Sequence, residues 1–147
     1  MKETISFTLV LPSNLEFREL AIASLDWLIK TYANVNPDET YPGQLPPSWG
    51  LRETVSNAIE HGNKYNPNKK VTITFTFSEG KFIISVQDEG DGFVPEEVPD
   101  CIGESNILKE GGRGIAMMRE IFGNVKFEDG GRRTILELTF APIAIVA

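Results

Sequence analysis

Three clusters of residues in this 147-residue chain have types and spacings suited to chemistry. The first is Asp88-Glu89-Gly90-Asp91-Gly92-Phe93, a carboxylate followed at once by two glycines. It closes the alternating run Phe82-Ile83-Ile84-Ser85-Val86-Gln87, which reads as a β-strand. Phe82, Ile84, Val86 and Asp88 therefore share one face. A carboxylate at the end of an apolar face needs a partner, because an unpaired buried charge is costly. The exocyclic amine of an adenine is a donor that suits such a pocket, and Gly90 and Gly92 would let a base approach the backbone. An ordinary Asp-Gly turn with a solvated carboxylate is the competing reading. The second cluster is Glu53 with Asn57, four residues apart and so neighbours on a helix surface. An Asn carbonyl beside a carboxylate suits Mg²⁺, which takes few protein ligands and fills its shell with water and phosphate oxygens. A carboxylate there also suits a general base toward an attacking hydroxyl, although a solvated helix face has the same spacing. The third is Gly111-Gly112-Arg113-Gly114 at a helix start, where backbone N–H groups and the helix dipole favour phosphate.

These clusters need elements to hold them. Ile5, Phe7 and Leu9 alternate with Thr4, Ser6 and Thr8, so the chain opens with a strand ending at Pro12. Ser13-Asn14-Leu15-Glu16 has the pattern of a capping box and predicts a helix to about Tyr32. Its apolar stripe is Leu20, Ala21, Leu25, Leu28 and Ile29, with Arg18 and Glu19 off it. Asn34 to Pro47, rich in Pro, Asn and Gly, is a long loop. A second helix runs from Ser48 to Gly62, with Leu51, Val55, Ala58, Ile59 and Gly62 on one face. Glu53, Asn57 and Glu60 lie on the other, and Gly62 and Asn63 are its terminators. Val71–Phe77 and the strand ending at Asp88, joined at Glu79-Gly80, form a hairpin. An irregular segment carries Pro95, Pro99 and Gly103, and a third helix spans Ile115 to about Phe122. Strands over 125–128 and 135–140 close the chain around Asp129-Gly130-Gly131. The order β-α-α-β-β-α-β-β predicts helices on one face of a mainly antiparallel sheet.

Composition narrows the function. A length of 147 residues fits one domain, 1–147, with a real core, and 41% hydrophobic with 24% charged residues is ordinary for a soluble globular protein. A formal net charge of -7 argues against a partner that is a nucleic-acid backbone, yet leaves a nucleotide, which needs only local donors. Cys101 is the single cysteine and His61 the single histidine, so neither an intrachain disulfide nor a Cys/His metal site is expected. Met1-Lys2-Glu3-Thr4-Ile5 has no apolar signal core, and the apolar tail from Ala141 to Ala147 is too short to span a bilayer. A cytoplasmic protein with no membrane partner is the expectation.

The motifs occur in an order that resembles one superfamily. Glu53-x-x-x-Asn57-Ala58-Ile59-x-His61-Gly62 is similar to the N box of the gyrase, heat-shock chaperone, histidine kinase and MutL (GHKL) ATPases. Asp88-x-Gly90-x-Gly92-Phe93 resembles their first glycine box and Gly111-Gly112-Arg113-Gly114-Ile115 their second. The segment between, about 94–110, resembles their ATP lid. "NAIEHG", "EGGRGI" and the small size resemble the stand-alone anti-sigma-factor serine/threonine kinases of bacterial partner-switching systems.

That resemblance implies an α+β two-layer sandwich with a mixed, mostly antiparallel sheet and helices on one face. It implies ATP and Mg²⁺ as cofactors, and a likeness in role: binding a sigma factor and phosphorylating a serine or threonine of a STAS-domain antagonist, as a homodimer. By motif, Glu53 is the general base, Asn57 the Mg²⁺ ligand and Asp88 the adenine contact. Gly90 and Gly92 shape the base pocket, Gly112, Arg113 and Gly114 meet the phosphates, and Thr134 corresponds to a threonine near the adenine. His61 is expected to pack or cap the helix end rather than accept phosphate. The alternative is a catalytically silent ATP-binding switch for a protein partner. A histidine kinase fragment is disfavoured by the lack of a dimerisation helix pair with a phosphoacceptor histidine, and a gyrase or MutL type by the lack of a transducer domain after Phe140.

Overall fold

A computed structural model describes residues 4–33, 45–93 and 118–139. Five strands form one sheet: β1 (Ile5–Pro12), β2 (Lys70–Ser78), β3 (Lys81–Gln87), β4 (Asn124–Glu128) and β5 (Arg133–Thr139), in the order β1-β2-β3-β5-β4. Each of the four described pairings is antiparallel. The hairpin between β2 and β3 turns on Glu79 (φ 55°) and Gly80 (φ 79°), two successive left-handed residues whose twist matches that of the flanking strands.

Alternation gives the sheet one buried and one open face. Val71, Ile73, Phe75, Phe82, Ile84, Val86, Leu136 and Leu138 point inward and are buried. Phe7 stacks on Phe75 with ring centroids 4.9 Å apart, and Phe77 lies 4.5 Å from Phe82. On the open face, hydroxyls pair across β1 and β2: Ser6 with Thr76 (3.3 Å) and Thr8 with Thr74 (3.1 Å). Short hydroxyl and β-branched side chains of this kind suit a pleated, half-solvated surface.

Helices cover the buried face. A 3₁₀ turn at Leu15–Phe17 leads into α1 (Arg18–Leu28) and a π-turn at Ile29–Ala33. The cap at its start is Asn14, whose side chain accepts from Glu16 N–H at 3.1 Å. Ser13, expected in the capping box, is buried instead and donates to Lys69 O. Ala21, Ile22, Leu25 and Leu28 form the buried stripe, whereas Leu20 is 51% exposed and lies outside it. α2 (Pro47–Asn57) starts with Pro47 in its first turn, where the missing N–H costs nothing. It packs beside α1, joined by Arg18 Nη1 donating to Ser56 Oγ (2.9 Å) and by Arg52 paired with Glu19. That pairing lowers the Glu19 pKa, first through its hydrogen bond with Arg52.

A helical turn at 118–121 lies against α2, with Met118, Ile121 and Phe122 buried. Gly50 is where the two approach: a Cβ there would press into the Phe122 ring. Thr54 Oγ1 donates to Gly50 O at 2.8 Å and lies 2.6 Å from Met118 Sδ. Helices on one side of an antiparallel sheet give the two-layer α+β sandwich expected from the sequence. Among the described residues no helix is long and apolar enough to cross a membrane.

Candidate functional site

The helical path of α2 does not end at Asn57. It continues as a π-turn, Ala58–Gly62, directly after the Glu53/Asn57 pair. Such turns insert one residue into the helix and are common where a helix must re-aim a functional group. Here the extra residue brings Gly62 against the end of β3. A Cβ at Gly62 would collide with the Asp88 carboxylate, so only glycine allows this approach. Gly62 O in turn fills the space where a side chain at Gly90 would sit. The helical path ends where the sequence reading put its terminators, Gly62 and Asn63. Gly62 is its last residue and Asn63 caps it, the Asn63 N–H bonding to Ala58 O (2.8 Å), with Lys64 (φ 52°) and Tyr65 (φ 57°) in left-handed conformations after it.

Asp88 follows β3 on the same face as Val86, Ile84 and Phe82, all buried. Its N–H donates to Arg132 O at 2.9 Å, which continues the β3–β5 ladder by one rung. Oδ1 accepts from Gly90 N–H at 2.8 Å, and Oδ2 accepts no hydrogen bond among the described residues. Burial pushes the Asp88 pKa up, while the Gly90 N–H and the Arg132 charge pull the other way. The result is a half-buried carboxylate with one oxygen fixed and one available. That free acceptor fits a donor amine such as the one adenine carries.

The Gly90–Phe93 loop is clamped from the far side. Arg132 Nε donates to Gly90 O (2.8 Å), Nη2 to Asp91 O (3.3 Å) and Nη1 to Asp129 O (3.1 Å). Phe93 N–H bonds to Gly130 O at 2.8 Å, and its ring meets Phe127 edge to face at 5.2 Å. Gly92 (φ 79°) sits where a Cβ would strike Gly130 O. At both loop glycines, then, the space left by the missing side chain is occupied by the chain's own backbone. Asp91 is exposed, 4.0 Å from Lys64 Nζ, as befits a turn residue.

Glu53 and Asn57 are both partly buried on the same helix that delivers Gly62 to Asp88. Among the described residues neither side chain takes a hydrogen bond or ion pair. An Asn carbonyl and a carboxylate one turn apart are hard oxygen donors of the kind Mg²⁺ accepts alongside phosphate and water. Thr134 shares the inward face of Leu136 and Leu138 and lies opposite Val86, two residues before Asp88. His61 is exposed, with Nε2 3.9 Å from Glu60 Oε2, so it does not pack into the core. Gly112, Arg113 and Gly114, the expected lid over about 94–110 and Cys101 lie outside the described residues. Sequence reasoning missed Arg132 and Asn63 as parts of this site, because neither carries a periodic signal.

The fold and the site together define a nucleotide-binding α+β module of the histidine-kinase type. Residues 48–140 match the family described as Histidine kinase-like ATPase domain, and the chain belongs to that family. Among curated proteins, it is 28% identical over 91 residues to the Serine-protein kinase RsbW of Bacillus subtilis (strain 168), covering 58% of this chain and 57% of that protein. It is 33% identical over 81 residues to the Sensor protein LytS of Staphylococcus saprophyticus, covering 54% of this chain but 14% of that protein. The chain thus matches under two thirds of the length of either relative.

Proposed function

We propose that this domain binds ATP with Mg²⁺ and acts as a serine/threonine protein kinase on a STAS-domain antagonist, while also binding a sigma factor as a homodimer. The observation that carries the reading is the delivery of Gly62 to the Asp88 carboxylate by the helix that bears Glu53 and Asn57. The element that bears the phosphate-side residues is thereby packed directly against the base-recognition carboxylate at the end of β3. Membership of the ATPase-domain family and likeness to a serine-protein kinase support it.

In this reading Asp88 Oδ2 accepts the adenine amine, Thr134 lies beside the base, and Gly112, Arg113 and Gly114 meet the phosphates. Mg²⁺, when bound, neutralises phosphate charge. Asn57 would hold it, and Glu53 would take the proton from the substrate hydroxyl, with the proton ending on the Glu53 carboxylate. Positioning and charge complementarity supply the rate, with no covalent enzyme intermediate.

The test is transfer of radiolabelled phosphate from ATP to candidate STAS-domain proteins. Glu53→Gln is expected to keep ATP binding and lose transfer by roughly 10²-fold or more. Unchanged transfer by that variant removes Glu53 from the base role. Wild-type binding of ATP and partner without any transfer favours a regulatory switch over a kinase.

A further inference from the structure

Asn63 is the first residue beyond the π-turn, and its side chain is the most deeply buried polar one described, at 1% exposure. Its amide joins three other parts of the chain. Nδ2 donates to Ser13 Oγ (3.0 Å), just past β1, and to Lys70 O (3.0 Å), at the start of β2. Oδ1 accepts from Glu89 N–H at 2.8 Å, beside Asp88. The amide orientation follows from its partners, because a backbone N–H requires the oxygen and a backbone carbonyl requires the nitrogen. Both donors and the acceptor are thus used. A second link reinforces the same corner, with Glu89 Oε1 accepting from Lys70 N–H at 2.8 Å.

We propose that Asn63 is a positioning residue for base recognition: it locks Glu89 N–H to the end of the α2 helical path and so fixes the Asp88 carboxylate against Gly62. The inference rests on Asp88 being the contact for the adenine amine. A buried amide with every bond satisfied holds one geometry, since any other leaves polar atoms unpaired out of water. The two peptides that flank the Asp88 Cα are each held, the first through Asp88 N–H donating to Arg132 O and the second through Glu89 N–H donating to Asn63 Oδ1. Those two anchors leave the Asp88 side chain little freedom to turn Oδ2 away from a ligand. Without the Asn63 anchor, only the exposed Glu89–Lys70 link holds the loop on that side, and the Asp88 carboxylate loses the backbone anchor that sets its position against Gly62. Ser13 shares the network but touches neither Asp88 nor Glu89, which separates support of the fold from orientation of the carboxylate.

The experiment compares binding of ATP and of purine riboside triphosphate, which lacks only the 6-amine, to the full chain with Mg²⁺ at low temperature. Melting temperatures are recorded alongside. Wild type should prefer ATP by roughly tenfold or more, and Asp88→Asn should abolish the preference. Asn63→Ala should reduce the preference about fivefold or more, while Ser13→Ala lowers the melting temperature and leaves the preference within about twofold of wild type. If Asn63→Ala does not stay folded, Asn63→Asp replaces it. That variant is isosteric and keeps an acceptor for Glu89 N–H, so it should retain the preference at a lowered melting temperature. Two outcomes overturn the proposal alone: a wild-type preference in folded Asn63→Ala, or loss of preference in Asn63→Asp, each with Asp88→Asn behaving as expected. No preference in wild type, or an undiminished one in Asp88→Asn, overturns the adenine reading and this inference with it.

Discussion

Replacing Asp88 by Asn should act in opposite directions on the liganded and the empty protein. Gly90 N–H holds Oδ1, so the amide of Asp88→Asn would set its oxygen there and place NH₂ where Oδ2 stood. A donor then faces the donor amine of adenine. Losing a charge-assisted hydrogen bond costs about 1.5–3 kcal/mol, and the unpaired donors add about 1 kcal/mol or more. ATP affinity is therefore expected to fall by roughly 10²-fold.

The empty protein behaves differently because burial raises the Asp88 pKa. A folded pKa above the unfolded one means that the protonated group favours folding. That contribution is complete below the unfolded pKa and is lost as pH rises through the raised, folded value. Asp88→Asn has no such loss. Its melting temperature should gain on that of wild type as pH rises through that interval. ATP binding by wild type should strengthen over the same interval, because a donor amine favours the ionised carboxylate. Calorimetric titration and thermal melts between pH 4 and 8 (roughly the carboxylate range and above it) read both effects. Wild-type ATP affinity in Asp88→Asn would refute the pocket. Parallel melting curves for the two proteins across that range would refute the burial argument.

Gly62→Ala places a methyl group against the Asp88 carboxylate, and an overpacked contact of this kind costs about 1–3 kcal/mol. Isothermal titration should show ATP affinity down by about tenfold or more, with the Glu53 and Asn57 turn still helical by circular dichroism. Arg132→Ala removes three bonds to main-chain carbonyls of the loops it joins, and about 1–2 kcal/mol of stability should go with them. Chemical denaturation checks this, and hydrogen exchange should quicken at the Gly90 and Phe93 amides. Gly50→Ala drives a Cβ into the Phe122 ring and should cost about 1–3 kcal/mol in denaturant melts. Preference for ATP over purine riboside triphosphate should not change in that variant, since Gly50 lies at the opposite end of α2 from Gly62.

The sheet was legible from the sequence wherever one face is buried. Phe75, Ile73 and Val71 alternate with threonines, and Phe82, Ile84 and Val86 alternate in step, so period and face follow directly. The turn at Glu79-Gly80 and the Glu53/Asn57 spacing are local patterns and were equally readable. What sequence could not supply were bonds made across the chain. Ser13 lies next to a residue equally able to cap, Asn14, and only the distant Lys69 and Asn63 decide which of the two faces inward. Leu20 fits the apolar stripe of α1 by spacing, yet it is exposed and Ile22 is buried in its place. Arg132 grips Gly90 O from 42 positions away, a distance at which no periodicity survives.

The π-turn after Asn57 has the same character, and it carries most consequence. Without an inserted residue, the helix would present a different side chain at the end of β3, and any side chain larger than hydrogen would strike Asp88. The motif quoted from the sequence, ending in His61-Gly62, contains the glycine but not the reason for it. Gly62 lies nine positions after Glu53. At the rise of a helix that is about 13 Å of rigid rod between the phosphate-side carboxylate and the base pocket. A ligand that reaches from Glu53 to Asp88 therefore meets a helix and a strand end that are pinned to each other at Gly62. Asn63 fastens that element to β1, β2 and the loop after β3 at the point where the rod meets the base pocket. Precision at Asp88 then depends less on the glycine loop itself than on the helix end behind it. A loop bounded by two glycines would otherwise be the softest part of the site.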